Sequence, residues 1–489
     1  MNLKLYNTMS RQVEEVARPE GRELRMYACG ITAYDYAHLG NLRRYVMDDV
    51  LLRVLRYDGY QVKHVKNVTD VGHLTSDSDT GIDKLEKGAA RDHKSVTDVA
   101  RFFEKYFFES CDKLHISRPT VVTRATEYID EQLRIAVELE KKGYAYLIEG
   151  DGLYFDTSRF EHYGELARLN LAALQEGARV EKVAGKRHPT DFAVWKLEAP
   201  GENRQMVWPS PWGERSFPGW HLECVAMALD QLGMPVDIHS GGVDHIPVHH
   251  TNEIAQAESY TGKRPFVKHW VNHNFMRIDN QKMSKSLGNI YRLEDVVAKG
   301  FTPEALRYLF LMSHYRHELN FTWEAMAAAQ TAYDRLVAAL AVFERESEPS
   351  MTSGEYLTKT DEYRQKFLTL VNDDLNVPAA LATISEILKA NLGPRGRYDL
   401  LIDLDEILGL DLRAQVERKR RQLSQEIKRD DLEAQVADWL SQRESARADK
   451  DWARADFLRT KIEEAGYRII DTLEGAKVQK THDQTDTHA

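Results

Sequence analysis

Two of the three cysteines in the chain, together with a histidine and a glutamate, could form a metal site. The residues are Cys29, Cys224, His249 and Glu253. His249 and Glu253 are four residues apart, so on a helix they share one face. Two thiolates, one imidazole and one carboxylate suit tetrahedral zinc. Spacing alone leaves a second interpretation open, because buried structural cysteines and capping His/Glu pairs are commoner than metal ligands.

A lysine-rich segment could bind a polyphosphate. Lys282-Met283-Ser284-Lys285-Ser286 is followed by Leu287-Gly288-Asn289, so both lysines belong to a loop that contains glycine. Such a loop suits a mobile clamp on phosphates whose negative charge grows in a transition state. The alternative is a solvated lysine loop without a ligand.

A second phosphate-binding candidate is His38-Leu39-Gly40-Asn41. It lies where a loop that leaves a predicted strand meets the start of a long predicted helix. A helix N-terminus offers free N–H groups and the positive end of a dipole to a phosphate, and Gly40 allows a close approach of backbone or nucleotide. Taken alone, the four residues also fit an ordinary loop and helix cap.

The elements that must position these residues follow a β-α-β order. Residues 24–29 alternate as in a strand, residues 41–57 are apolar at helical spacing, and residues 61–68 alternate again. This order predicts parallel strands joined by a right-handed crossover. Ligands of such sheets bind at the carboxyl ends of the strands, so residues 29–40 are expected at the mouth of a site.

The rest of the chain changes character several times. Residues 119–200 are more broken, with a strand candidate at 152–156, and are typical of an insertion. The β-α alternation resumes over 220–270, and residues 301–410 are almost wholly helical in pattern. A charged stretch at 417–421 predicts a linker or an exposed helix.

Composition limits the class of protein. The 489 residues are 42% hydrophobic and 29% charged, which excludes a largely disordered chain. No long apolar run predicts a membrane span, and the first residues resemble no signal peptide, so we expect a cytoplasmic protein. Few cysteines argue against a disulfide framework. With 66 Lys+Arg against 77 Asp+Glu, the net charge is −11, so any nucleic acid must bind through local basic patches.

The two phosphate-binding candidates resemble the HIGH and KMSKS signatures of class I aminoacyl-tRNA synthetases. The second signature is complete, whereas Asn41 stands where the second histidine of the first is usual. Longer segments across nearly the whole chain are similar to the cysteinyl-tRNA synthetase family. They are residues 29–35, 186–196, 218–224, 237–244, 314–316 and 372–378.

The resemblance implies a site residue by residue. Cys29, Cys224, His249 and Glu253 match the family's zinc ligands, which implies one Zn²⁺ per chain. The family departures are Thr251, Ser240 and the Gly72-His73 pair, and none of them removes a proposed ligand. Cys111 matches no ligand position and is interpreted as structural.

The other roles also follow from the resemblance. Catalytic roles fall to His38, Asn41, Lys282 and Lys285. ATP, with Mg²⁺, is expected to bind at His38, Gly40, Asn41, Gly241, Gly242, Asp244 and Lys285. Thr32 and Trp220 are expected to hold the amino acid.

The far end of the chain bears on the acceptor. Residues 447–459 and 466–472 resemble the anticodon-binding end of the family, and an exposed tryptophan can stack on an unpaired base. Arg447, Trp452 and Asp456 are the candidates for reading the anticodon guanine, and Arg316 is a further tRNA candidate. The alternative for this segment is an amphipathic helix with Trp452 packed inward. The basic run at 418–421 fits either a phosphate contact or a solvated face.

The expected fold is α/β, with a Rossmann-like parallel-sheet catalytic domain that carries an inserted α+β segment, then a helical bundle and a small C-terminal α/β unit. The expected divisions are a first catalytic half (1–118), an insertion (119–204), a second half with the zinc site (205–270), a KMSKS and stem-contact region (271–325), a helical tRNA-binding bundle (326–415), a charged linker (416–430), an anticodon-binding unit (431–480) and a disordered tail (481–489).

The expected function is ATP-dependent attachment of L-cysteine to tRNA-Cys through a cysteinyl adenylate, by a monomer with no membrane partner. Two alternatives stay open. A mycothiol-type cysteine ligase shares the zinc-bearing core but acylates an amino sugar and lacks the terminal domain. A catalytically idle paralogue would only bind tRNA or cysteine, and Asn41 is the one feature that favours it.

Overall fold

The structure, a computed structural model, describes residues 2–72, 85–86, 89, 95–169, 185–343, 353–427, 432–472 and 475–480. The chain divides into two compact units. The first contains Met1–Tyr333 and Pro349–Leu410, and the second contains Asp334–Glu348 and Asp411–Ala489. The tail at 481–489, expected to be disordered, lies outside the described residues.

The described α-helices are α1 (Leu39–Tyr57), α2 (Val96–Lys113), α3 (Ile129–Lys141), α4 (Trp220–Leu232), α5 (Thr251–Thr261), α6 (Leu293–Ala298), α7 (Pro303–Leu311), α8 (Trp323–Phe343), α9 (Ser353–Val371), α10 (Val377–Lys389), α11 (Gly393–Leu408), α12 (Leu412–Gln425), α13 (Ala434–Ala448) and α14 (Trp452–Glu464). A π-helical turn, Ile246–His250, leads directly into α5.

The described strands are β1 (Lys4–Asn7), β2 (Gln12–Glu15), β3 (Leu24–Thr32), β4 (Val62–Thr69), β5 (Val121–Arg124), β6 (Ala145–Ile148), β7 (Gly152–Phe155), β8 (Phe192–Leu197), β9 (Trp208–Ser210), β10 (Gly213–Pro218), β11 (Val236–Gly242), β12 (Val267–His273), β13 (Met276–Ile278), β14 (Gln281–Lys282), β15 (Leu319–Phe321), β16 (Glu426–Ile427), β17 (Tyr467–Thr472) and β18 (Gly475–Lys480).

A five-stranded parallel sheet, in the order β12-β11-β3-β4-β5, forms the centre of the first unit. Every residue of β11 is buried, as expected when helices cover both faces of a parallel sheet. Ile238 of β11 pairs with Met26 of β3, and Leu24 of β3 pairs with Val62 of β4. The predicted β-α-β order and parallel pairing are confirmed.

The predicted boundaries of the first strand and helix were slightly wrong. Strand β3 continues to Thr32 through an irregularity between Ala28 and Ile31, where Gly30 lies against β4. A Cβ on Gly30 would lie 1.4 Å from the carbonyl oxygen of Asn67, so only glycine fits there. Helix α1 begins at Leu39 because His38 caps it.

A second five-stranded sheet, β6-β7-β8-β10-β9, is wholly antiparallel. Along the chain, its strands lie between β5 and α4, which is the position expected for an α+β insertion. Strands β9 and β10 come after residue 204, so this sheet extends past the boundary expected for the insertion.

The region predicted to be almost wholly helical, 301–410, contains α7 to α11 and one short strand. Strand β15 pairs in parallel with β13, from Leu319 opposite Met276 to Phe321 opposite Ile278. The helical prediction misses this strand because its partner lies about forty residues earlier in the chain.

The second unit combines helices with a three-stranded sheet, β16-β18-β17. Its core contains Leu432, Val436, Leu440, Ile462, Tyr467, Ile469 and Val478. Most of the stretch expected to be a charged linker is helical, since α12 runs to Gln425. Arg420 of that helix donates to the carbonyl oxygens of Leu340 and Ala341 in α8.

Among the described residues, no helix combines the length and the apolar character needed to cross a membrane.

Candidate active site and metal centre

The four predicted metal ligands converge at the carboxyl end of β3. Cys29 comes from that strand, Cys224 from α4, His249 from the π-helical turn and Glu253 from the first turn of α5. One ligand atom of each lies within 4.8 Å of those of the other three, and all four residues are buried. Residues far apart in the chain therefore form one compact cluster.

The carboxylate of Glu253 lies between two histidines of this cluster. Its Oε1 lies 2.7 Å from Nε2 of His249 and its Oε2 lies 2.8 Å from Nε2 of His239, with the side chain fully buried. Within the described part of the chain, neither oxygen makes a hydrogen bond of acceptable geometry. Both oxygens of this buried carboxylate are thus available as ligands, and with two thiols and an imidazole beside them the residues fit a metal ion.

The two thiols differ in acidity because a hydrogen bond joins them. A hydrogen bond from Cys224 holds the pKa of Cys29 well below its usual range, although burial opposes this, and the nearby His239 adds to it. The same hydrogen bond and burial raise the pKa of Cys224. The lowered pKa of Cys29 favours its thiolate, the form of cysteine that binds metals.

Histidines balance these anions. Burial alone would lower the pKa of His249, but Glu253 and Cys29 outweigh it and raise the value to about 10. Burial likewise disfavours ionised Glu253, but His239 and His249 hold its pKa below the ordinary range. A metal ion bound here would displace the protons of His249 and Cys224, since metal ligands must be thiolate, carboxylate or neutral imidazole.

Two histidines at the centre of the cluster were not predicted from the sequence. His239 and His250 form a second compact set with Cys29 and Glu253, whose ligand atoms also lie within 4.8 Å of one another. Nε2 of His250 is 3.8 Å from Sγ of Cys29, and burial lowers the pKa of His250 to about 4. Both histidines belong to or adjoin motifs that the sequence singled out, so their types were visible but not their proximity.

Of the two residues expected to hold the amino acid, Trp220 lies beside this cluster. Trp220 is the first residue of α4, and its ring centroid is 4.5 Å from that of His249. Thr32 is the last residue of β3, three positions after Cys29. The cluster and these two residues thus lie at the same edge of the parallel sheet.

His38, Gly40 and Asn41 form the N-terminus of α1. His38 is the N-cap, and its Nδ1 accepts a hydrogen bond from the backbone N–H of Asn41 at 3.3 Å, while Oδ1 of Asn41 accepts one from the backbone N–H of His38 at 3.2 Å. A Cβ on Gly40 would lie 2.4 Å from Cε of Met283. The two signature segments are therefore in direct contact.

The lysine loop lies against the same helix N-terminus. Lys285 forms an ion pair with Asp35, which lies in the loop between β3 and α1. The amide of Ser284 donates to Oδ1 of Asn289 at 2.8 Å, and Nδ2 of Asn289 donates to the carbonyl of Lys282 at 3.1 Å. Lys282 is exposed on β14.

The predicted nucleotide-pocket residues end β11. A Cβ on Gly241 would lie 2.6 Å from Nε2 of His250, and one on Gly242 would lie 2.1 Å from Oδ1 of Asp244. The side chain of Asp244 is largely exposed. The two glycines leave room for the side chains of His250 and Asp244. The sequence did not indicate this need for space.

The predicted tRNA residues have different surroundings. In the first unit, Arg316 donates to Asp374 at 2.7 Å and lies over the ring of Tyr6. In the second unit, Trp452 is 58% exposed at the start of α14, which contradicts the inward packing of the alternative interpretation. Arg447 donates to Asp471 at 2.6 Å, and Asp456 is exposed.

Comparison with known proteins gives consistent results. The family model described as tRNA synthetases class I (C) catalytic domain matches residues 15–331. The chain is 44% identical over 479 residues to "Cysteine--tRNA ligase 1" of Burkholderia lata, covering 98% of this chain and 97% of that protein. The chain belongs to the cysteine–tRNA ligase family. It is also 40% identical to the Treponema denticola cysteine–tRNA ligase, over 96% of this chain and 98% of that one.

The fold of this family member resembles that of solved synthetase structures. Mycobacterium tuberculosis methionyl-tRNA synthetase in complex with methionyl-adenylate superposes with a TM-score of 0.57, over 81% of this chain and 92% of that one, at 15% identity. The class I fold predicted from the sequence is thereby confirmed.

A buried hydrogen-bond network next to the site was also not predicted from the sequence. Oδ1 of Asp48, on α1, accepts hydrogen bonds from Oγ of Ser240 at 2.6 Å and from Nε2 of His273 at 2.8 Å. Ser240 stands where the family usually has glycine, and the network gives that hydroxyl a partner. The network ties α1 to the carboxyl ends of β11 and β12.

Proposed function

We propose that this chain attaches L-cysteine to tRNA-Cys in two steps. The substrate carboxylate attacks the α-phosphorus of ATP, which gives cysteinyl adenylate and pyrophosphate, and a ribose hydroxyl at the tRNA 3′ end then attacks the acyl carbon. The observation that carries the proposal is the contact of the two signature segments at one sheet edge with the Cys29, Cys224, His249 and Glu253 cluster. Relatives named cysteine–tRNA ligase along nearly the full chain support it.

Zinc is the metal that best fits the cluster, with one ion held by Cys29, Cys224, His249 and Glu253. This set is preferred over the one with His239 and His250 because it contains two thiols, and zinc favours sulfur ligands. When bound, zinc would supply a Lewis-acid position that favours a substrate thiolate over a hydroxyl.

Selection of cysteine over serine requires such chemistry. The two amino acids are nearly isosteric, and a pocket that reads shape alone discriminates such pairs by only about a hundredfold. Another hundredfold requires ~3 kcal/mol. Trp220 beside His249 would orient the amino acid, together with Thr32, toward the cluster.

The phosphates of ATP, which binds with Mg²⁺, would be held by His38 and Lys285, with Lys282 in support. Since the nucleophile is already an anion, positioning and charge stabilisation dominate the first step. Lys285 pairs with Asp35 and must leave it to reach a phosphate. Gly40, Gly241, Gly242 and Asp244 would shape the nucleotide pocket around these contacts.

Two features support tRNA rather than an amino sugar as the acceptor. The chain carries a second unit with an exposed Trp452 flanked by Arg447 and Asp456. The relatives cover 96% or more of the chain and include this unit. Arg316 is the further tRNA candidate in the first unit. We expect the protein to act in the cytoplasm as a monomer.

Cysteine-dependent exchange between ATP and labelled pyrophosphate tests the first step. The zinc-loaded protein is expected to catalyse exchange with cysteine, and serine at the same concentration is expected to support only about one ten-thousandth of the rate, a hundredfold from shape and a hundredfold from zinc. Exchange that proceeds equally with both amino acids would contradict the proposed selection.

A further inference from the structure

Arg44 is a cation of helix α1 to which the sequence assigned no role. It lies four residues after Gly40 and four before Asp48, so the three residues share one face of the helix. Gly40 lies against the lysine loop, and Asp48 accepts hydrogen bonds from the carboxyl ends of β11 and β12. The helix face that carries Arg44 thus extends from the lysine loop to the edge of the parallel sheet.

The guanidinium of Arg44 reaches the backbone beside the metal cluster. Its Nη2 donates to the carbonyl oxygen of Cys29 and lies 3.5 Å from that of Gly30. The group also lies over the ring of Tyr45, 4.3 Å from the ring centroid. None of the described residues accepts a hydrogen bond from Nε or Nη1, and the side chain is only partly buried. These two nitrogens are therefore available to a ligand next to Cys29.

Anionic groups of both halves of the site act on this cation. Burial opposes its charge, but four neighbouring groups outweigh burial and raise the pKa of Arg44: Tyr45, Asp48, Cys29 and Asp244. Cys29 belongs to the metal cluster, and Asp244 belongs to the predicted nucleotide pocket. The positive charge of Arg44 is therefore within electrostatic reach of the places expected for the amino acid and for the nucleotide.

The first step of the proposed reaction needs positive charge where the two substrates meet. A carboxylate oxygen forms a bond to the α-phosphorus while the bond from phosphorus to pyrophosphate breaks, and the electron pair leaves with pyrophosphate. Both reactants are anions, so a fixed cation beside them stabilises their approach. None of the residues assigned under the proposed function supplies positive charge to the substrate carboxylate.

We propose that Arg44 is a further catalytic residue, whose guanidinium donates to the substrate carboxylate and to an α-phosphate oxygen of ATP as the two meet. A guanidinium has five N–H donors in a planar fork, so it can keep its bond to the carbonyl of Cys29 and still bind a ligand. Arg44 transfers no proton, because its role is to stabilise charge. The proposal rests on the proposed function for the identity of the reaction.

Two measurements on the full-length zinc-loaded protein test this role. The first compares the binding of AMP and adenosine by calorimetry, since the two ligands differ only in the phosphate that corresponds to the α-phosphate of ATP. The second is kcat for cysteine-dependent pyrophosphate exchange. The variants are Arg44→Ala and Arg44→Lys, and Arg56→Ala is the matched control, because Arg56 is exposed in the last turn of the same helix. Zinc per chain and urea unfolding are measured for each variant.

We expect the wild type to bind AMP more tightly than adenosine. Arg44→Ala should reduce this preference by roughly tenfold, as loss of a hydrogen bond between charged groups does. It should lower kcat for exchange by roughly a hundredfold, the usual effect of removing one preorganised donor, while zinc content and stability stay unchanged. Arg44→Lys should recover part of both effects, since it restores the charge without the fork. Arg56→Ala should match the wild type.

An unchanged preference for AMP in Arg44→Ala would overturn the proposal, as would an unchanged kcat. Loss of zinc in this variant would also overturn it, because Arg44 would then only support Cys29. Arg44→Lys carries the same test if the alanine variant does not fold, and wild-type values of both quantities would again contradict the role. Absence of exchange in the wild type would contradict the proposed function instead, and the preference for AMP would still decide whether Arg44 binds the phosphate.

Discussion

At the scale of single residues, the three cysteines show how surroundings sort identical side chains. A hydrogen bond between Cys29 and Cys224, beside several histidines, lowers the pKa of Cys29 and raises that of Cys224. Cys111 lies alone on α2, where burial raises its pKa to about 12 and keeps it a neutral thiol. All three are buried, so burial does not distinguish a ligand from a structural cysteine.

This difference predicts the outcome of two matched substitutions. Cys224→Ser replaces a proposed zinc ligand by a hydroxyl, so bound zinc should fall well below one per chain and cysteine-dependent exchange should drop by at least about a hundredfold. Cys111→Ser should keep its zinc. Metal analysis after gel filtration measures both, and full zinc in Cys224→Ser would show that this residue is not a ligand.

The buried histidine His64 makes the stability of the protein depend on pH. His64 on β4 is buried, neither ring nitrogen has a hydrogen-bond partner in the described part of the chain, and burial lowers its pKa to about 3. Unfolding restores a value near 6.5, so the unfolded chain binds a proton that the folded one does not. The free energy of unfolding should therefore fall as pH decreases from about 6.5 toward 3, by up to about 1.4 kcal/mol per pH unit.

Urea unfolding of the wild type and His64→Phe between pH 7 and 4 isolates this contribution. The difference in unfolding free energy between the two proteins should change with pH, because the variant has lost the titrating group. His317→Gln, at an exposed histidine, should follow the wild type. Parallel curves for the wild type and His64→Phe would contradict the assignment.

At the scale of elements, one arginine links α1 to the segment before β13 and to the segment after α7. Arg43 is 2% exposed and donates to the backbone carbonyls of Asn274 and Phe275, just before β13, and to those of His314 and His317 after α7. Burial lowers its pKa to about 10. Its planar fork reaches four carbonyls at once, which a lysine ammonium cannot do.

Arg43→Lys should therefore destabilise the protein by roughly 2–4 kcal/mol, since a lysine cannot replace the hydrogen bonds that the buried guanidinium donates. Arg56→Lys, in the last turn of the same helix and exposed, should change the unfolding free energy by less than about 0.5 kcal/mol. Equal effects of the two substitutions in urea unfolding would show that the four contacts do not matter.

The elements also show what a sequence can predict. Strand β3, helix α1 and strand β4 follow from local alternation and periodicity, and the four-residue cluster follows from motifs that match a family. Strand β15, the position of His250 against Cys29 and the partner of Ser240 depend on residues distant in the chain. Local patterns contain no information on such proximity, so these features required the structure.

At the scale of the whole molecule, the two units contain different sets of predicted functional residues. The first contains the parallel sheet, the cluster and both signature segments, and the second contains the candidates for anticodon reading. Amino-acid activation and tRNA recognition should therefore respond to separate substitutions.

Trp452→Ala should raise the KM for tRNA-Cys, because loss of base stacking costs about 1–3 kcal/mol, and should leave pyrophosphate exchange unchanged. Phe457→Ala is the control: Phe457 is 59% exposed on the same helix, but five positions on it faces a different direction. A similar rise in KM for both variants would contradict a specific role for Trp452.

Charging of a tRNA-Cys transcript with labelled cysteine by the zinc-loaded protein tests the central claim most directly. We predict that cysteine becomes esterified to the tRNA and that serine does not. Pyrophosphate exchange without charging would contradict tRNA as the acceptor and favour a small amine, and absence of both reactions would indicate a catalytically idle member of the family.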